Sequence, residues 1–322
     1  MEKIHDVKIC RPCSMPQEIV LVDGPSRSGK TVTSRMLATM ERVESERVEE
    51  IFDYVGVLYG FGKIQRDAAA TLLRLEADIF CYHACLARNS NFRWKDSTSI
   101  FRYPDWKKYL RRLFDQDGDA CVAKIKKEIP IFQVGTHHQM EHMDLHFDAY
   151  GEKLHVIELM RNPIDTIDAW MNRGHGQRMC STARDFSICL EHKDAAVYYL
   201  GAGWEEEYLK ASPVDRVIRM LYVLNEKIRK GYEKLSSEIQ SRILLLRFEE
   251  LVVNPLGISE KMADFLGTRT TRYTNKEVKK MRLPWDVSEE GRADRWEKIK
   301  AIANKECLKY LDEMIAGYER EW

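Results

Sequence analysis

Short apolar runs along the chain predict its strands. They are EIVLVDG (18–24), IPIFQVGTHH (129–138), KLHVIELMRNP (153–163) and SRILLLRFEELVVNP (241–255). Apolar runs of this length that end near Gly or Pro are typical of buried strands. The sequence therefore predicts a strand in each of the four segments.

Most of the remaining chain has the spacing of amphipathic helices. TVTSRMLATMERV (31–43), PIDTIDAWMNRG and LGISEKMADFLG each predict a helix after one of the strands, the second with Pro at its first position. Residues 45–125 and 171–235 also have mainly helical periodicity, as does the charged segment from residue 275. Strands that alternate with helices predict a parallel sheet covered by helices on both faces.

Composition narrows the class of protein. Lys plus Arg equals Asp plus Glu at 51 each, so no net field attracts the chain to nucleic acid or to an anionic membrane. No run of about 18 apolar residues occurs, and the start, MEKIHDVKICRPCSMPQ, lacks the apolar segment of a secretion signal. We predict a soluble, cytoplasmic protein with no membrane span and no nucleic-acid partner, and oligomeric state stays open.

The cysteines predict neither a disulfide framework nor a metal site. They are scattered at positions 10, 13, 81, 85, 121, 180, 189 and 307. Such spacing differs from that of small secreted domains, so we expect reduced thiols. Cys10 and Cys13 form a C-x-x-C, but a zinc site needs a second pair of ligands and none follows nearby. Cys81 and Cys85 lie one helical turn apart and His83 points away from them, which favours buried apolar roles.

The segment DGPSRSGKTVTSRM (23–36) predicts a phosphate site. Gly24, Gly29, Lys30 and Thr31 satisfy the pattern G-x-x-x-x-G-K-[ST], after a predicted strand and before a predicted helix. The glycines let backbone N–H groups converge, the start of the helix adds positive potential, and Lys30 adds a charge. We therefore predict a three-layer α/β P-loop fold, with a central parallel sheet flanked by helices.

No internal repeat and no Pro-, Gly- or Ser-rich linker divides the chain. Residues 1–322 are thus predicted to form a single domain of this fold, with helical insertions near 45–125 and 171–235.

The loop by itself does not identify the anion. An ATP-using enzyme also needs an Asp at a strand end for Mg²⁺. The run LHVIELM ends in Met160 and continues with Arg161, and ILLLRFEEL carries Arg247. A cation at a strand end suits a second phosphate better than a metal, so no metal is predicted. Because Lys30 completes the pattern of ATP-binding loops, a P-loop kinase stays open as an alternative.

Three segments together resemble the sulfotransferases that use 3′-phosphoadenosine 5′-phosphosulfate (PAPS). GPSRSGKTVTSRMLA resembles the 5′-phosphosulfate loop of that family, VIELMRNPIDTIDAW its 3′-phosphate segment, and ILLLRFEELVVNPLGISEKMADFLG its R-[YF]-E-[DE]-L segment. They occur in the family order, and GRADRWEKI (291–299) resembles an R-W element of bacterial members. The resemblance implies transfer of a sulfuryl group from PAPS, as co-substrate, to a hydroxyl or amine.

The resemblance also implies which residues bind PAPS. Arg27 takes the place of the catalytic Lys or Arg at the leaving oxygen, and Lys30 adds a second charge. The implied donor-binding residues are Ser26, Arg27, Ser28, Gly29, Lys30, Thr31, Val32, Arg161, Arg292 and Arg295. Family members usually carry a Ser that binds the 3′-phosphate eight residues after the Arg of their second segment, where this chain has Ala169. Binding of the 3′-phosphate is therefore expected to depend on the arginines.

His137 is the first candidate for the general base. It follows Thr136 at a predicted strand end, like the T-H of the cytosolic branch, and its 24-residue interval to Arg161 is similar to that of the family. Histidine accepts a proton readily near neutral pH. Other branches use a Glu, and here Glu44, Glu46, Glu49 and Glu50 stay open as alternatives.

The acceptor is not identified by the sequence. A small molecule, a glycan and a peptide all stay open, and the aromatic residues between 52 and 109 are assigned no acceptor contact. Besides the kinase, a non-catalytic nucleotide-binding protein is a second alternative, in which the phosphate loop binds but no base acts.

Overall fold

The computed structural model describes residues 7–96, 98–285, 287 and 289–321. The strands are β1 (Glu18–Asp23), β2 (Ile131–Gly135), β3 (Leu154–Met160), β4 (Cys189–His192), β5 (Ala195–Tyr198) and β6 (Ile243–Arg247). The helices are α1 (Lys30–Leu37), α2 (Ile51–Gly60), α3 (Arg66–Cys85), α4 (Trp106–Arg112), α5 (Asp119–Glu128), α6 (Met143–Tyr150), α7 (Pro163–Asn172), α8 (His175–Arg178), α9 (Glu205–Lys210), α10 (Pro213–Glu233), α11 (Ser237–Gln240), α12 (Phe248–Val253), α13 (Pro255–Phe265), α14 (Arg272–Lys280), α15 (Glu289–Ile302) and α16 (Lys305–Glu321).

The four predicted strands form one parallel sheet in the order β2-β1-β3-β6. Val22 of β1 pairs with Gly135 of β2, and Met160 of β3 pairs with Arg247 of β6. The carboxyl ends of these strands therefore lie side by side at one edge of the sheet. The loops that follow β1, β2 and β3 meet at that edge, which is where ligands bind in open α/β sheets.

Helices cover both faces of the sheet. Ile19 and Leu21 of β1 face a core shared with α3 and α10, whereas Val20 and Val22 face a second core shared with α1, α13 and α14. This alternation follows from the two-residue period of a strand, and a strand that is apolar on both sides must be buried on both sides. The predicted three-layer α/β fold with a central parallel sheet is confirmed.

The helix-rich segments contain one element that the periodicity did not predict. Residues 45–125 hold α2 to α4 and the start of α5, and 171–235 hold α8, α9 and α10. The latter segment also holds an antiparallel hairpin, in which Cys189 pairs with Tyr198 and His192 with Ala195. Its four-residue strands are too short to produce a detectable alternation.

Two predicted boundaries were wrong. The predicted helix 31–43 ends at Leu37, because the Thr39 hydroxyl donates to the Met36 carbonyl at 2.6 Å and closes the helix end. The strand predicted within 241–255 ends at Arg247, and the following residues form the short helix α12.

The prediction of reduced thiols was wrong for one pair of cysteines. Cys180 and Cys189 form a disulfide with their Cα atoms 6.0 Å apart. The turn after α8 returns the chain to β4, and this brings together two cysteines that lie nine residues apart. Cys81 and Cys85 are buried free thiols on α3, as the sequence predicted, and Cys10 and Cys13 are exposed.

Within the described part of the chain, the helices are too short or too polar to cross a bilayer.

Candidate active site

The phosphate loop joins β1 to α1 and is packed against α12. Gly29 precedes α1 with φ +106°, and a Cβ there would lie 2.3 Å from Cδ2 of Phe248. Both the angle and the contact require glycine. Arg27 also has a positive φ, +69°, an uncommon angle for a residue with a side chain. Such backbone angles cluster at ligand-binding loops.

Lys30 closes the loop on itself. Its Nζ donates to the carbonyl of Gly24 at 2.7 Å and to that of Pro25 at 2.9 Å. The residue is 9% exposed, and burial lowers its pKa while the carboxylate of Asp23 opposes that change. In this structure the Lys30 side chain therefore ties together two carbonyl groups of the loop and places a positive charge beneath it.

Two residues of the loop, Ser26 and Ser28, are relevant to anion binding. The Ser28 hydroxyl is buried, and it has no hydrogen-bond partner among the described residues. Ser26 is fixed from outside, since Nε1 of Trp170 on α7 donates to its carbonyl at 2.7 Å. A buried hydroxyl without a partner is costly unless a ligand or water satisfies it.

Arg161 follows β3 and lies against the phosphate loop. Its Nη1 donates to the Arg27 carbonyl at 3.2 Å, and its guanidinium carbon lies 4.7 Å from the ring centroid of Phe248. Its Nε is buried, without a partner among the described residues. The structure thus brings two separate sequence motifs to one place.

The two C-terminal arginines differ in their position. Nη1 of Arg295 contacts Asp165 at 2.6 Å, and Nη2 of Arg292 contacts the same carboxylate at 3.2 Å. Asp165 lies in the first turn of α7 and is buried. Arg295 lines the cavity described next, and Arg292 lies outside its lining.

A cavity of about 730 Å³ lies beside the phosphate loop, and we call it the P-loop cavity. Its basic lining residues are Arg27, Lys30, Arg161, Arg173, Arg178 and Arg295. Its acidic lining residue, Asp165, is already paired with arginines. The cavity is therefore suited to a polyanion. Arg173 and Arg178 were not predicted, since a lone basic residue at a helix end carries no sequence signal.

His137 lies in the loop after β2, and the loop is anchored to the end of β1. The buried carboxylate of Asp23 accepts hydrogen bonds from the Thr136 hydroxyl at 3.0 Å and from the backbone N–H groups of Gln139 and Met140 at 2.7 and 3.1 Å. These bonds hold the loop in place next to the phosphate loop. The sequence placed His137 correctly at a strand end, but it did not indicate the role of Asp23.

Asp53 of α2 orients the His137 ring. Its Oδ2 lies 3.0 Å from Nδ1 of His137, and its Oδ1 accepts the backbone N–H of the same residue at 2.8 Å. A carboxylate at Nδ1 favours the tautomer with its proton there, which leaves Nε2 free to accept a proton. The side chain of His137 is 40% exposed, so that it is accessible to a ligand. Asp53 was not predicted as a site residue.

The alternative glutamate bases lie in other surroundings. Glu44 accepts hydrogen bonds from Nη1 and Nη2 of Arg112, each at 2.8 Å. Burial disfavours its charged form, but Lys108 and Arg112 outweigh that effect and hold its pKa at about 2. Glu46 is buried beneath the loop and accepts the Ser34 hydroxyl at 2.9 Å. Neither lines a cavity beside the phosphate loop.

A second, smaller cavity of about 270 Å³ adjoins the first. We call it the aromatic cavity, because its lining includes Tyr54, Trp170, Phe186, Tyr198 and Tyr199. The residues that line both cavities are Ser26, His137, His175 and Arg178. Glu50 also lines the aromatic cavity, whereas Glu49 lines neither. His137 thus stands at the boundary between a basic and an aromatic compartment.

Across the described ranges, no group of three or more His, Cys, Asp and Glu side chains is arranged to hold a metal ion.

The fold is similar to that of a sulfotransferase domain of known structure. A sulfotransferase domain from the curacin biosynthetic pathway superposes with a TM-score of 0.50 at 13% identity, over 94% of this chain and 98% of that domain. The sulfotransferase domain of the Synechococcus PCC 7002 olefin synthase gives a TM-score of 0.44 at 13% identity, over 98% of this chain and 91% of that domain. Sulfotransferase STF9 from Mycobacterium avium gives a TM-score of 0.42 at 10% identity, over 91% of this chain and 78% of that protein. No family model and no curated protein sequence matches the chain.

Proposed function

We propose that this protein is a sulfotransferase that moves the sulfuryl group of PAPS to a hydroxyl or amine. One observation carries the proposal: the phosphate loop and Arg161 converge on a basic cavity, and His137 borders that cavity with Nδ1 tied to Asp53. A doubly phosphorylated adenosine requires two anion sites and a hydroxyl acceptor requires a base, and this arrangement supplies all three.

The lining of the P-loop cavity fits the donor. The backbone of the phosphate loop and of the first turn of α1 would hold the 5′-phosphosulfate, together with Ser26, Thr31 and Val32. Ser28, which the sequence also predicted as a ligand, is fully buried and lies outside the cavity lining. Arg161, with its buried and unpartnered Nε, and Arg295 would hold the 3′-phosphate. Arg292 would act indirectly, by sharing Asp165 with Arg295. With Ala169 at the usual serine position, these arginines carry the 3′-phosphate without a hydroxyl.

The chain's own groups account for the other requirements of the reaction. When bound, PAPS supplies a sulfur whose bond to the bridging phosphate oxygen breaks as the acceptor oxygen or nitrogen bonds to it. Arg27 and Lys30 stabilise the negative charge that the leaving phosphate gains. Nε2 of His137 takes the acceptor proton, and Asp53 stabilises the resulting imidazolium. The products are adenosine 3′,5′-bisphosphate and a sulfated acceptor.

The two alternatives differ from this proposal in specific residues. A kinase would use Lys30 on ATP and a free acid at a strand end for Mg²⁺, but β3 ends in Met160 and is followed by Arg161. Asp23, at the end of β1, is buried and already accepts three hydrogen bonds. A non-catalytic nucleotide-binding protein would have no need for the oriented Asp53–His137 pair. Both considerations favour the sulfotransferase.

Thermal denaturation with two nucleotides tests the choice of donor. Adenosine 3′,5′-bisphosphate without metal is expected to raise the melting temperature more than ATP with Mg²⁺ does, since ligands stabilise the state that they bind. A larger shift with ATP and Mg²⁺ would overturn the proposal. Transfer of label from [³⁵S]PAPS to a panel of phenols, alcohols and amines then separates an enzyme from a protein that only binds.

A further inference from the structure

The floor of the aromatic cavity consists of flat rings. The buried members are His138, Trp170, His175 and Tyr198, which are exposed by 8%, 1%, 6% and 7%. The Trp170 ring lies 5.1 Å from the His175 ring and 6.3 Å from the His138 ring, measured between centroids. Contiguous ring faces favour a flat guest, because aromatic pairs gain from stacked and edge-to-face contact beyond simple burial.

The deep part of the cavity carries little charge near neutral pH. Burial lowers the pKa of His175 to about 4 and that of His138 well below its ordinary value, so both rings are neutral. Nδ1 of His138 is also tied to the Tyr199 hydroxyl at 2.6 Å. Of the charged lining residues, Glu50, Arg178 and Arg184 are exposed, at the rim of the cavity. The other two are already paired, since Asp53 contacts His137 and Asp185 accepts the backbone N–H of Cys180. An acceptor that enters ring first therefore needs no charge at its inner end.

The size of the cavity limits the acceptor. A dry protein cavity of about 150 Å³ holds one benzene molecule. At about 270 Å³ the aromatic cavity has room for one or two fused rings, but not for a glycan chain or a folded peptide.

One wall of the cavity is held by two internal contacts and by one hydrogen bond from α2. It comprises residues 178–188, and the disulfide between Cys180 and Cys189 closes its base. The Tyr54 hydroxyl donates to the Phe186 carbonyl at 2.6 Å, and the Cys180 backbone N–H donates to Asp185 at 2.7 Å. These contacts preserve the narrow shape of the cavity and limit how far it can open.

We propose that the aromatic cavity is the acceptor site and that the acceptor is a compact phenol of one or two rings, held on the Trp170 floor with its hydroxyl at His137. This inference rests on the proposed function for its chemistry. The phenol oxygen forms the new bond to sulfur, the sulfur–phosphate oxygen bond breaks, and the phenolic proton passes to Nε2. A phenolic O–H, with a pKa of about 10, gives up its proton more readily than an aliphatic alcohol.

Calorimetric titration of 2-naphthol into the protein saturated with adenosine 3′,5′-bisphosphate tests the inference. The test variant is Val48→Trp, which places a large ring at the exposed mouth of the cavity. Val253→Trp, at another exposed valine away from both cavities, is the matched control. We expect 2-naphthol to bind the wild type and Val253→Trp equally, and to bind Val48→Trp at least about tenfold more weakly, since a blocked cavity loses the stacking contacts.

The bisphosphate affinity of the three proteins, titrated separately, distinguishes the two proposals. Bisphosphate binding without 2-naphthol binding would overturn the phenol site alone. Loss of bisphosphate binding by the wild type would count against the proposed function, whatever the phenol does. Unchanged 2-naphthol affinity in Val48→Trp, or equal binding of the saturated analogue 2-decalol, would also overturn the inference. If Val48→Trp fails to fold by circular dichroism, Ile188→Trp blocks the same cavity from its opposite wall.

Discussion

The carboxylate of Asp53 holds His137 twice, through the ring Nδ1 at 3.0 Å and through the backbone N–H at 2.8 Å. The two residues lie 84 positions apart in the sequence. The double contact fixes both the position and the rotation of the ring, so that Nε2 is directed away from α2. We therefore regard the pair as one functional unit.

Replacement of His137 by Ala is expected to lower kcat by about 10²- to 10⁴-fold, the usual contribution of a general base. The dissociation constant for adenosine 3′,5′-bisphosphate should stay within about twofold of wild type, because the phosphate loop does not depend on the ring. Steady-state sulfation of 2-naphthol and calorimetric titration measure the two quantities. Retention of kcat in this variant would remove His137 from the mechanism.

Asp53→Asn is expected to lower kcat without affecting bisphosphate binding. An Asn amide can donate to Nδ1 and so place the ring proton on Nε2, where it blocks proton transfer. Because Asp53 acts through His137, the double variant should be no slower than His137→Ala alone. If the losses in kcat of the two single variants add in the double variant, Asp53 has a role separate from His137.

Arg161→Ala is expected to weaken the binding of adenosine 3′,5′-bisphosphate by about 10- to 100-fold. This loss corresponds to the roughly 1.5–3 kcal/mol that a hydrogen bond to a charged group contributes. Adenosine 5′-phosphosulfate lacks the 3′-phosphate, so its affinity should change little. Calorimetric titration of both ligands tests the assignment. An equal loss for both would mean that Arg161 stabilises the loop and does not select the 3′-phosphate.

Arg292→Ala and Arg295→Ala are expected to differ in the same titration. Arg295 lines the P-loop cavity, so its removal should weaken the bisphosphate about tenfold. Arg292 contacts Asp165 outside the cavity, and we expect its removal to have less than about a threefold effect. The reverse ranking would assign Arg292 the direct contact.

Glu46 is expected to make stability depend on pH. Burial raises its pKa to about 7, against about 4.3 for an exposed glutamate. Between these values the folded state binds the proton more tightly than the unfolded state does, so the free energy of unfolding falls as pH rises from about 4.3 to 7. Glu46→Gln has no such proton to lose. Above pH 7 its free energy of unfolding should exceed that of the wild type by up to about 3 kcal/mol.

Urea denaturation at pH 5 and pH 8 measures this difference. The difference in free energy of unfolding between Glu46→Gln and the wild type should be larger at pH 8 than at pH 5. Glu50→Gln, which removes an exposed carboxyl group, is the matched control. A gap for Glu46→Gln that does not vary with pH would show that Glu46 is already ionised throughout this range.

Removal of the disulfide is expected to weaken acceptor binding and to leave nucleotide binding unchanged. Cys180→Ser releases the base of the wall formed by residues 178–188, so the KM for 2-naphthol should rise several-fold while bisphosphate affinity stays constant. Cys189→Ser should behave in the same way, and Cys10→Ser, at an exposed free cysteine, should resemble the wild type. An unchanged KM in both disulfide variants would show that the wall holds its shape without the bond.

Local patterns were sufficient for the central fold. The strands at 18–23, 131–135, 154–160 and 243–247 were all predicted, because each is a continuous apolar run with a clear end. The hairpin at 189–198 was missed because its strands are short and half exposed. The disulfide was missed because spacing alone does not show which cysteines meet.

The candidate site was only partly predictable. Gly29 and Arg161 stand in motifs with a defined context, and the structure brings them together as expected. Asp53, Arg173 and Arg178 had no such context, since single charged residues on helices are common on any surface.

The sequence by itself determined which segments form the central sheet, where the phosphate loop lies and that a cation follows β3, since these features depend on residues close together in the chain. Only the tertiary structure decided that Asp53 meets His137, and that a basic and an aromatic cavity share this histidine. Such contacts join residues far apart in sequence, and they come from the packing of helices on the sheet, which no local pattern encodes.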